Sequence, residues 1–79
     1  MEKDRIYIIV AECLKIDLSE IDDDLGVGDI PEWDSLAHVN LIRTVEEKYN
    51  ISFNADQALE IETVEDLVDI LEEALQVNP

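Results

Sequence analysis

The chain has 79 residues, 47% of them hydrophobic, and sets 21 Asp and Glu against five Lys and Arg for a formal net charge of −16. That length holds one small domain, and the apolar content excludes a disordered acidic tail. The charge excludes nucleic acid and anionic membrane surfaces as partners, because phosphate contacts need clustered cations; it favours a protein with a basic patch, met by steered association.

Cys13 is the single cysteine, so the chain has neither an internal disulfide nor a Cys-based metal cluster. The apolar run 6–11 is too short to span a membrane, and no signal-peptide cleavage pattern surrounds it. The sequence therefore reads as a soluble, cytoplasmic monomer, complete as it stands, with one domain over residues 1–79.

Residues 3–16 carry Ile6, Ile9, Val10, Cys13 and Leu14 at helical spacing, which predicts a helix with one buried face. Residues 17–34 break that pattern with both glycines and eight acids and no base, which predicts a long loop. Loops of that length carry function or are held by their own apolar anchors, here Leu18, Ile21, Leu25, Val27 and Ile30. Asp34 is a good N-cap for a second helix, along which Leu36, Val39, Ile42 and Val45 recur to Tyr49, and Asn50 supplies a stop. A short helical turn is expected over 55–60. Thr63 caps a last helix with Val64, Leu67, Val68, Leu71, Ala74 and Leu75 on one face. No window alternates with a period of two, so the expected fold is all-α: three main helices, one short one and a long first loop.

The stretch Glu32-Trp33-Asp34-Ser35-Leu36 is where function could sit. Ser35 takes the first helical position after an acidic cap, and an anion attached to its hydroxyl would face free N–H groups and the positive end of the helix dipole. The plainer reading is that Asp34 and Ser35 only start a helix, as these residue types do in most proteins. Ser35 as a hydrolase nucleophile is the weaker case. His38, the single histidine, lies three residues on, yet there is no Gly-x-Ser-x-Gly elbow and little cleft to exclude water. His38 reads as a surface or partner-facing residue, Trp33 as a packing anchor closing the loop over the second helix, and Cys13 as an inert core residue. The Asp22, Asp23, Asp24 and Asp29 cluster does not meet the calcium-loop pattern: starting at Asp22, the sixth residue is Val27 and the twelfth is Trp33.

Taken together, the length, the acidity, the helix–long loop–helix order and the Asp34-Ser35-Leu36 triplet resemble the acyl carrier protein family across essentially the whole chain. Val39, Leu41, Ile42, Val45, Glu46 and Glu47 also match that family's second-helix pattern. The resemblance implies a small four-helix bundle that catalyses nothing itself. It implies that Ser35 is the attachment point of a covalent 4′-phosphopantetheine arm, installed from coenzyme A by a phosphopantetheinyl transferase. Acyl intermediates would ride the arm as thioesters in fatty-acid-like or specialised polyketide and secondary-metabolite synthesis. Acyl-loading and condensing or transfer enzymes with basic patches are the implied partners, with Asp34, Leu36, His38, Val39, Glu46 and Glu47 as the partner-binding residues.

The chain departs from the family where fatty-acid carriers usually place acids soon after the serine: here those positions hold Ala37 and Asn40, with His38 between them and Arg43 further on. Trp33 stands where a small residue is usual. The run Trp-Asp-Ser-Leu-Ala-His resembles discrete carriers of specialised pathways more than the housekeeping carrier. Two other readings stay open, a discrete peptidyl or aminoacyl carrier and an acidic interaction module with no prosthetic group.

Overall fold

The computed structural model describes residues 2–77 as four α-helices: α1 (Glu2–Leu14), α2 (Ser35–Tyr49), α3 (Ala55–Glu60) and α4 (Val64–Val77). Among the described residues extended pairing is confined to one isolated bridge, Gly26 with Thr63, so the all-α expectation holds. The chain starts and stops its helices with local chemistry. Asp34 caps α2 by accepting from the Ala37 N–H at 2.8 Å, and Asn54 caps α3 by accepting from Gln57 at 2.8 Å. Thr63 Oγ1 accepts from the Asp66 N–H at 3.1 Å at the start of α4. Asn50 ends α2 in the left-handed conformation, φ 55°, while the Ile51 N–H returns to the Glu46 carbonyl at 3.0 Å.

The same device ends α1 two residues before the expected boundary. Lys15 turns left-handed at φ 58° and the Ile16 N–H reaches the Ala11 carbonyl at 3.1 Å. Lysine carries none of the usual signal for that conformation, so the stop was not legible.

α1 packs against both α2 and α4. Ile6, Val10, Leu41, Val45, Ile61, Val64, Leu67 and Leu71 form the interior, and Trp33 joins them with no exposed surface, as expected of a packing anchor. Cys13 sits part-buried against this core. On α2, Leu36 and Val39 are 72% and 51% exposed, and the inward lane is His38, Leu41 and Val45. A polar residue type at position 38 hid that lane from a count of apolar residues. One sequence expectation is corrected: Leu18 is not a loop anchor, since it lies in a short 3₁₀ turn, Leu18–Glu20, and is 52% exposed. Ile21, Leu25, Val27 and Ile30 do pack on the core.

The loop of residues 17–34 is tied down along most of its length. Its carbonyls at Leu25 and Asp23 accept from the Val64 and Glu65 N–H groups at 2.9 and 3.1 Å, which meets two of the open donors at the start of α4. Gly26 makes this approach possible, since a Cβ there would lie 2.7 Å from the Glu62 carbonyl oxygen. Lys3 on α1 bridges to Asp23 at 2.9 Å, and the Tyr7 hydroxyl donates to the same carboxylate at 2.6 Å.

Candidate functional site

Ser35 opens α2 with an exposed side chain. Of the four N–H groups that a helix start leaves without intrahelical partners, the Asp34 carboxylate engages that of Ala37, and those of Ser35 and Leu36 stay available to an anion on the serine oxygen. Trp33 fixes the approach to this turn. Its carbonyl accepts from the Gly28 N–H at 2.7 Å, its own N–H donates to Ile30 at 3.1 Å, and Gly28 takes φ 89°, which glycine adopts without strain. A phosphodiester on Ser35 fits this site on three counts: an exposed hydroxyl, two open donors, and a dipole of the right sign.

The residues singled out as partner-binding separate into two groups. Asp34, Leu36, Val39 and Glu47 are exposed along α2. His38 and Glu46 are drawn into the fold. Glu46 accepts from the Phe53 N–H at 2.8 Å and so holds the α2–α3 link. His38 is part-buried, with Nδ1 3.0 Å from the Trp33 indole nitrogen and Nε2 2.9 Å from the Ile61 carbonyl. This corrects the surface reading of His38. It also removes the hydrolase case, because neither ring nitrogen is left to take a proton from Ser35.

Two acids of the loop, Asp22 and Asp29, are likewise engaged locally. Asp22 accepts from the Asp24 and Leu25 N–H groups, both at 2.9 Å, and Asp29 accepts from Gly26 at 2.8 Å. They act as Asx caps that shape the turns. Among the described residues, no group of three or more His, Cys, Asp or Glu could hold a metal ion, and no helix is long and apolar enough to cross a membrane.

The family described as "Phosphopantetheine attachment site" matches residues 4–71. An acyl carrier protein of Porphyromonas gingivalis is 32% identical over 72 residues, covering 91% of this chain and 92% of that protein. One from Chlamydia caviae is 32% identical over 66 residues, 84% of this chain and 86% of that protein. Among solved structures, the holo acyl carrier protein of Geobacter metallireducens superposes with a TM-score of 0.83 at 29% identity, over 95% of this chain and 86% of that one. A putative acyl carrier protein from Mycobacterium tuberculosis shares the fold at 23% identity, with a TM-score of 0.76 over 98% of this chain and 97% of that one. The chain belongs to the acyl carrier protein family, a carrier rather than an enzyme, with phosphopantetheine as its covalent prosthetic group.

Proposed function

We propose that Ser35 carries the arm, and that the protein holds acyl intermediates as thioesters on it for fatty-acid-like or specialised polyketide synthesis. The arm supplies a flexible thiol that bonds the cargo; the chain presents the serine, stabilises the phosphodiester charge and offers a docking face. Ser35 Oγ forms the new bond to phosphorus, the pyrophosphate bond of coenzyme A breaks, the nucleotide part leaves, and the hydroxyl proton passes to a base of the transferase. In this reading the work is done in the cytoplasm, where coenzyme A is at hand.

One observation supports Ser35 above the other hydroxyls: it alone joins exposure to the start of a long helix behind an acidic cap. Thr63 is occupied as the α4 cap, and Thr44 donates to the Asn40 carbonyl at 2.8 Å. Ser52 lies in the link before α3, and Ser19 in the 3₁₀ turn. Incubation with coenzyme A, magnesium and a broad-specificity transferase should add one phosphopantetheine by intact mass, and Ser35→Ala should accept none while keeping its fold. Modification of well-folded Ser35→Ala would refute the assignment.

The docking face in this proposal is Leu36, Val39, Asp34 and Glu47, without His38 and Glu46. Ala37 and Asn40 in place of acids support a specialised pathway, since they reduce the charge read by basic partners. Restoring acids at both positions should speed a salt-sensitive association with housekeeping condensing enzymes. Equal use of the natural and the acid-restored protein would remove that part of the reading.

A further inference from the structure

Three elements of the fold meet behind the turn that presents Ser35. The Trp33 indole belongs to the loop, His38 to α2, and the Ile61 carbonyl to the joint between α3 and α4. Their chemistry allows one arrangement. An indole N–H only donates, so His38 Nδ1 must be the unprotonated acceptor; a carbonyl only accepts, so Nε2 must carry the hydrogen. The imidazole is therefore neutral and in the Nε2–H form. Trp33 is wholly buried, so in the intact fold its indole N–H is satisfied by His38 and not by solvent. With both backbone groups of Trp33 also bonded, the residue is held at three points, and Asp34 and Ser35 follow it directly.

We propose that His38 is a positioning residue for the loading of Ser35. Through Trp33 it holds the start of α2 in register with the α3–α4 joint, so that the serine hydroxyl meets the transferase in one orientation. This rests on the Ser35 reading. The competing role is purely structural, in which the strut adds stability and has no effect on the chemistry of folded molecules.

Steady-state transfer from coenzyme A, measured per folded molecule on the full chain, separates the two. His38→Ala and Trp33→Phe should each lower kcat by about tenfold with KM little changed, as expected when a nucleophile loses its fixed orientation. The double variant should fall by the same factor rather than by its square, because either change breaks the one strut. Since the chain has one Trp and one His, the indole N–H signal in nitrogen-resolved NMR is unambiguous, and it should lose its exchange protection in His38→Ala. Wild-type kcat in both single variants would overturn the proposal, as would losses confined to KM. If His38→Ala does not fold, Trp33→Phe, which keeps the ring in the core, decides by the same criterion. Failure of the Ser35 reading shows separately, as an unmodified parent or a modified Ser35→Ala.

Discussion

The acidic loop and the first turns of α2 are adjacent in the chain and treat their side chains in opposite ways. In the loop, Glu20, Asp22, Asp23, Asp29 and Asp34 each hold a named N–H, ammonium or hydroxyl group. In α2, Ser35, Leu36 and Val39 are left exposed, a hydroxyl beside two large apolar side chains that the fold does not use. Leu36 and Val39 lie three residues apart on one helix beside Ser35, so the two exposed aliphatic side chains and the hydroxyl share one stretch of surface. The contrast separates residues that build the turn from residues that the turn displays.

The largest test sets the two faces of α2 against each other. Leu41→Ala empties a fully buried position and should cost about 3 kcal/mol in urea unfolding. Leu36→Ala should stay within about 0.5 kcal/mol while slowing reaction with acyl-handling partners. A similar stability loss at both positions would mean that Leu36 is part of the core after all.

Acids give the next test. Asp34→Ala removes the α2 cap and should cost about 1 kcal/mol, whereas Glu47→Ala, on the exposed face of the same helix, should change stability by less than about 0.5 kcal/mol. Equal effects would show that net charge, and not the cap, governs this end of the helix.

Much of this was legible in the sequence, and the failures have physical causes. Helix starts were readable because Asp34 and Thr63 are strong capping types, and the short helix was placed at its observed bounds, Ala55–Glu60. Ser35 stood out for the same reason, as the hydroxyl next to a cap. The buried face of α2 was not readable. Leu36, Val39 and Ile42 compete with Leu41 and Val45 for the interior, and the true lane runs through His38, whose burial depends on Trp33 and Ile61, residues 5 and 23 positions away. A pattern of apolar residues holds no record of a hydrogen bond closed by tertiary contact. The loop acids do not match a calcium loop in sequence, and their partners are local N–H groups for Asp22 and Asp29 and the Lys3 and Tyr7 side chains for Asp23.

The smallest effect belongs to Asp23, where the loop meets α1. Its hydrogen bonds from Lys3 and then Tyr7 hold its carboxyl below the ordinary value, and the bond to Asp23 raises Lys3 and Tyr7 above theirs. A depressed carboxylate stabilises the fold above its unfolded pKa of about 4, and that contribution fades as pH falls through the lower folded value. For Lys3 and Tyr7 the sign reverses: their share is present below about pH 10 and fades as pH rises past it. Lys3 and Asp23 keep 49% and 34% of their side chains in solvent and Tyr7 is half-buried, so screening keeps the effect small and salt-sensitive. Direct acid titration of the wild type would hide it, because protonating the other acids relieves the repulsion of a chain at −16 and stabilises it over the same range. The difference between wild type and Asp23→Asn cancels that background. It should be flat from pH 7 to about 5 and then shrink below about pH 4 as the wild type loses the Lys3 and Tyr7 contacts. A difference that stays constant down to pH 3 would mean that the Asp23 contacts contribute no stability, and that the loop is held to α1 by its apolar anchors alone.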